Sequence, residues 1–210
     1  MKRSGLNPKR TAGRRSPEKT SVILASASPR RRALMTKVFR RFRVVPAGID
    51  EERLRTSDPA AFTLRAAGAK ARAVGKKHPD SLIIAADTLV SLGPRIFGKP
   101  KTRKEARSML SELSGRRHRV VTGVVFYRSR PRRTLSGCET SWVTFKELTR
   151  DDIGQYLDLI EHLDKAGAYA IQESGDRLVR RLEGDYDNVV GFPTSLVRRL
   201  MKRWKEAEGL

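Results

Sequence analysis

Residues 81–100 read SLIIAADTLVSLGPRIFGKP. The apolar run over 81–86 has strand length and no polar alternation, which predicts a strand buried on both faces and ending at Asp87. Residues 89–92 resume the apolar character, and Gly93-Pro94 turns the chain into a short return strand. Gly98-Lys99-Pro100 then fixes a lysine in a stiff loop. A strand hidden on both faces must be covered by other layers, so its neighbours decide the fold class.

Towards the N-terminus, residues 21–25 predict a short strand, and Ser28-Pro29 pairs an N-cap with a proline in the first helical position. The helix over 29–39 presents Ala33, Leu34 and Val38 on one face, and a second strand follows at 43–47. Asp58-Pro59 opens another helix, on which Ala61, Leu64, Ala67, Ala71 and Val74 recur near helical spacing. Towards the C-terminus, Thr102 with Glu105 forms a capping box for a helix to Leu113. Strands over 119–127 and 135–145 come next. Thr149 with Asp152 caps a helix to about His162, short strands fall near Ala168 and Leu178, and a last helix spans 193–204. No internal repeat is present. This order predicts an α/β fold with a mixed sheet flanked by helices.

The chain has 210 residues, enough for one ordinary domain. Lysine and arginine outnumber the acids 45 to 23, a formal +22 that points to anionic partners. Residues 1–19 hold seven basic residues, one acid and no apolar period, and read as a disordered basic tail ahead of a single domain over 20–210. An organelle transit peptide would share the Arg-rich, acid-poor composition; a secretory signal needs a continuous apolar core, and residues 1–19 have none. Without the tail, 38 basic and 22 acidic residues leave +16. A charge of this size fits a nucleic-acid-binding protein or an enzyme acting on a polyphosphate, although only thirteen residues are aromatic. One cysteine, Cys138, excludes an intrachain disulfide and fits the reducing cytoplasm. No apolar run reaches membrane-span length.

Several residue patterns can support chemistry. A strand, then SASPRR, then a helix is an anion site in outline, with Ser26 and Ser28 hydroxyls beside free backbone N–H groups and Arg30, Arg31 and Arg32 adding charge. An ordinary N-cap followed by a solvated basic face explains the same letters. Asp87 at a strand end can ligate magnesium or orient a water, with the Thr88 hydroxyl beside it; a turn-capping aspartate looks identical in sequence. Asp50, Glu51 and Glu52 form an acidic cluster that also fits ion-paired surface. Lys70 and Lys99 each fit a solvent-exposed lysine as well as an anion ligand. His78, His118 and His162 lack metal-ligand spacing, and no Ser–His–acid triad is supported.

Taken together and in order, LASASPRR (24–31), GIDEE (48–52), AADT (85–88), GKP (98–100), LSGRRHRVVTG (113–123), LDKAGAYAIQ (163–172) and EGDYDNVVGFP (183–193) resemble the Maf family of nucleoside triphosphate pyrophosphatases, over about residues 21–200. The resemblance implies a Maf/ITPase-like α/β fold: a curved mixed sheet flanked by helices, with two lobes around a central nucleotide cleft. It implies hydrolysis of a nucleoside triphosphate to the monophosphate and pyrophosphate with a divalent cation, Mg2+ or Mn2+, and a homodimer. Carried over by position, the catalytic aspartate falls on Asp87 and the metal-supporting acid on Glu51, with Asp87 sharing the metal. Phosphate handling falls on Ser26, Arg31, Lys70 and Lys99, and base selection on Arg30, Thr88 and Gln172, a combination similar to the branch acting on dTTP and UTP. Ala170 and Glu173 depart from that branch, which usually has glycine at both places. The alternatives are the same reaction on another or modified nucleotide, or a basic protein that binds nucleic acid through its tail or regulates septum formation.

Overall fold

The computed structural model describes residues 21–50 and 56–209. Its core is one seven-stranded mixed sheet. Strand β1 (Val22–Leu24) lies parallel to β2 (Arg43–Val44) on one side and to β3 (Leu82–Leu92) on the other. The far edge of β3 pairs antiparallel with β5 (Arg117–Arg128), followed by β6 (Arg133–Phe145) and β7 (Val179–Glu183). Strand β4 (Arg95–Phe97) folds back onto the end of β3.

Strand β3 is the hinge of the design. It does not end at Asp87, as the apolar run predicts, but continues to Leu92. Asp87 and Thr88 stay in the ladder because they face Gly123 and Thr122 of β5. On the opposite edge, β3 pairs with β1 only over Leu82, Ile83 and Ile84, and with β4 only from Val90 to Leu92. The stretch between has no strand on that edge among the described residues. That gap splits the sheet and opens a cleft over Asp87 and Thr88.

Helices cover both faces. Helix α2 (Pro59–Lys77), capped by Asp58, buries Ala67, Ala71 and Val74 against Ile23, Ala25, Ile83, Ala85 and Val125. Its small residues let it approach closely, and Gly123 completes the fit: a Cβ there would lie 2.7 Å from backbone atoms of Thr63 and Leu64. On the other face, α1 (Pro29–Thr36), α6 (Tyr186–Val190) and α7 (Thr194–Glu206) pack around Leu24, Ile84, Val124, Phe126 and Trp204. A second lobe gathers α3 (Arg103–Leu113), α4 (Arg150–Leu159) and the short α5 (Gly175–Leu178) around Phe97, Phe145, Tyr156 and Tyr169.

Several predicted elements shift. Ser28 caps α1 as expected, but the helix stops at Thr36, because Val38, Phe39 and Phe42 leave the helical path to join the core under α7. The second strand keeps only Arg43–Val44. Thr149 and Asp152 form the reciprocal capping box; at Thr102 the return bond differs, with the Glu105 carboxylate accepting from the Lys101 N–H. Ala168 lies in a 3₁₀ turn (Ala166–Ala168) rather than a strand, because Gly167 and Ala168 both take positive φ, and Leu178 ends α5 with the strand beginning after it.

Candidate active site

The cleft beside β3 has a volume of about 790 Å³. Ser26, Arg30 and Arg31 enter from the β1–α1 turn, Lys70 from α2, and Asp87 and Thr88 from the open stretch of β3. Lys99 comes from the loop after β4, and Gln172 from the segment between the 3₁₀ turn and α5. Eight of the nine candidate residues thus line one cavity. The ninth, Glu51, lies outside the described residues; its neighbour Asp50 lines the same cleft.

Successive residues of a strand face opposite sides of the sheet, and here that alternation separates two contact sets. Asp87 points to the α2 side, where Lys70 Nζ donates to its Oδ1 at 2.6 Å. Both side chains are nearly buried, at 6% and 10% exposure. Such a pair is a fixed ionic anchor, since desolvated charges persist only when compensated. Lys70 was expected to handle phosphate; the structure sets its ammonium directly on the candidate catalytic carboxylate.

Thr88 points to the opposite side. Its Oγ1 accepts from Arg31 Nη2 at 3.0 Å, lies 2.9 Å from Thr122 Oγ1 and donates towards the Gly191 carbonyl at 3.4 Å. Arg31 Nε donates to the same carbonyl at 2.9 Å. Gly191 caps α6 with φ of 110°, a left-handed geometry that suits glycine and turns its carbonyl onto this pair. Thr122 donates to the Asn188 carbonyl, completing a polar seam from α1 through β3 and β5 to α6. The Ser26 hydroxyl, nearly buried, accepts from the Ser28 N–H, and Ser28 caps α1 by accepting from the Arg31 N–H.

Arg30 turns the other way, to the segment that carries Gln172. It pairs with Asp164 at 3.1 Å and with Glu173 at 3.7 Å. Lys165, with 4% of its side chain exposed, contacts the same two carboxylates. Partial burial pushes the Asp164 carboxyl up, but Lys165 and Arg30 together outweigh it and leave the group below its ordinary value. The segment is anchored behind by Tyr156, whose hydroxyl accepts from the Ala170 N–H at 3.0 Å, and by Tyr169, whose hydroxyl lies 2.9 Å from His118 Nε2. Sequence reading did not find Asp164, Lys165, His118 or Asn188 as contributors. The contacts that matter, Arg30 to Asp164, His118 to Tyr169 and Asn188 to Val120 and Ser141, join residues distant in the chain, and the local Asp164–Lys165 pair reads as ordinary surface charge.

As to a metal, Asp87 offers a hard carboxylate oxygen at the cleft wall, and Asp50 also lines the cleft. No group of three or more potential ligands occurs among the described residues. This donor set fits a cation held by one or two carboxylates and completed by phosphate oxygens and water, as Mg2+ prefers.

The mixed sheet with a cleft beside its central strand has a solved counterpart: the Staphylococcus aureus Ham1 protein superposes with a TM-score of 0.50 over 90% of this chain and all of that one, at 15% identity. At that identity the likeness concerns the fold alone. The chain itself belongs to the Maf family, whose model, described as Maf-like protein, matches residues 21–204. It is 45% identical to the dTTP/UTP pyrophosphatase of Akkermansia muciniphila over 86% of this chain and 93% of that one. For the proteins of the same name from Pyrococcus furiosus and Deinococcus radiodurans, identity is 42% and 45%, over 86% of this chain and 94% and 91% of theirs.

Proposed function

We propose that this protein hydrolyses dTTP and UTP to the nucleoside monophosphate and pyrophosphate, removing nucleotides that should not accumulate. The observation that carries the reading is the buried Lys70–Asp87 pair on the open stretch of β3, in a cleft also lined by Arg31 and Lys99. The relatives named dTTP/UTP pyrophosphatase supply the substrate class.

Release of pyrophosphate requires water to attack the α-phosphorus while the bond from that phosphorus to the bridging oxygen breaks. Asp87 accepts the proton of the attacking water. Lys70 keeps that carboxylate in one orientation. A triphosphate carries about four negative charges, and Arg31, Lys99 and the Ser26 hydroxyl gather on the β- and γ-phosphates to offset them. A divalent cation, Mg2+ or Mn2+, held by Asp87 with Glu51, would neutralise triphosphate charge and polarise the phosphoryl oxygens. Arg30 and Gln172 read the pyrimidine: they donate to its carbonyls, and the Gln172 amide oxygen accepts N3–H. Thr88, with its hydroxyl engaged by three protein partners, contributes by fixing Arg31.

Incubation with UTP or dTTP and Mg2+ yields monophosphate and pyrophosphate, stops on chelation and resumes when the cation is restored. Nucleoside diphosphate with orthophosphate as products overturns the reading. The same proposal includes a homodimer, checked by sedimentation, and work in the cytoplasm, which the free, half-buried Cys138 supports. No helix among the described residues is long and apolar enough to cross a membrane.

A further inference from the structure

Four charged side chains beside the cleft form a closed ring. Arg30 Nη2 meets Asp164 Oδ2 at 3.1 Å, and Asp164 Oδ1 meets Lys165 Nζ at 2.8 Å. Lys165 Nζ meets Glu173 Oε2 at 3.3 Å, and Glu173 Oε1 returns to Arg30 Nη1 at 3.7 Å. Each carboxylate spends one oxygen on each cation, and each cation touches both carboxylates. Two positive and two negative charges cancel. Lys165 is almost fully buried and also donates to the Glu161 carbonyl, so the ring is pinned from beneath. It joins the first turn of α1 to the segment carrying Gln172.

An arginine compensated in this way is a different reagent from a free one. Its unused N–H groups still donate to a neutral carbonyl, but it offers little net attraction to phosphate, which binds guanidinium chiefly through charge-assisted bonds. Arg31, Lys70 and Lys99 lie outside the ring. We propose that Asp164 and Glu173 are positioning residues that hold Arg30 as a charge-compensated donor for the base and withhold it from the triphosphate. The donor half of this assignment rests on the pyrimidine reading above; the withholding half does not. It also gives a use to Glu173, a departure from the glycine expected at that position.

The test uses inorganic tripolyphosphate, which has the charge of the substrate and no base. In the full-length Asp164→Asn/Glu173→Gln variant, Arg30 is released, and tripolyphosphate inhibits about tenfold more tightly than in the unmodified protein. KM for UTP rises about tenfold, because the base loses its donor, while kcat stays within about twofold, because the Lys70–Asp87 contact that serves the proton transfer is kept. Glu173→Gln alone, altering a side chain that is 40% exposed, shows the same changes at about threefold and guards against misfolding of the double variant. Glu173→Asp, which keeps the charge, restores the original inhibition. Unchanged tripolyphosphate inhibition in folded double and single variants overturns the proposal. Equal kcat/KM for UTP and CTP in the unmodified protein overturns the base reading instead, and the tripolyphosphate result still decides the withholding of Arg30.

Discussion

Asp87 and Thr88 are neighbours in sequence, yet they work on opposite faces of the sheet. Asp87 joins Lys70 of α2, whereas Thr88 joins Arg31 of α1 and the Gly191 carbonyl after α6. Both reach one cleft because the strand edge beside them is open. Asp87→Asn preserves shape but removes the proton acceptor, so kcat on UTP falls by about 10²–10⁴. The same change leaves part of the buried Lys70 charge uncompensated, and stability drops by about 2 kcal/mol in urea unfolding. Near-normal turnover in the folded variant removes Asp87 from the proton transfer. Its place was legible only in part: the apolar run put a carboxylate at a strand end, where a turn-capping aspartate reads the same, and the ordered motifs, not the run, singled it out. The charge ring was not legible. Its members come from residue 30 and from 164–173, and nothing local distinguishes a paired arginine from a solvated one.

Pattern reading fails wherever an element depends on what lies beside it. Strand β3 runs past Asp87 because β5 supplies the partner ladder, a fact no periodicity in residues 81–92 contains. The short strand predicted near Ala168 becomes a turn because the backbone there bends through two positive φ values. By contrast, caps written in local sequence, such as Ser28-Pro29, Asp58-Pro59 and Thr149 with Asp152, sit where they are expected. The segment bearing Gln172 has a less local support: His118 of β5, fully buried between Phe145 and Tyr169. Burial lowers its pKa to about 4, against a weaker opposing effect from the Arg116 backbone. The unfolded chain, with a histidine pKa of about 6.5, therefore binds more protons than the folded one between those values. Stability is full above about pH 6.5 and falls as the pH drops towards 4, by on the order of 3 kcal/mol from this group. His118→Gln flattens that dependence in urea unfolding series between pH 7 and pH 4. A variant as acid-sensitive as the unmodified protein assigns the loss to other groups.

At the scale of the molecule, the open question is what the excess positive charge does. The cleft is lined by residues from Ala25 to Gly191, and the Maf-family match spans 21–204, so neither includes residues 1–19, the segment whose sequence reads as a basic tail and which lies outside the described residues. Deleting the tail removes seven of 45 basic residues and still leaves +16 on the rest of the chain. Substrate attraction by the protein's summed field should change little, because most of the excess positive charge, +16, stays on the rest of the chain and salt screens individual charges over about 8 Å. The truncated protein is therefore expected to keep kcat/KM for UTP within about twofold. Affinity for nucleic acid follows a different rule, since it scales with the number of cations that can meet phosphates at once. If the tail contributes such contacts, single-stranded RNA binding measured by anisotropy weakens on its deletion, and the dependence on salt between roughly 50 and 200 mM becomes shallower. The two measurements separate the roles. A large loss of hydrolysis on truncation would make the tail part of the site, whereas unchanged hydrolysis with weakened RNA binding assigns it to a separate polyanion contact and leaves the nucleotide chemistry to the cleft.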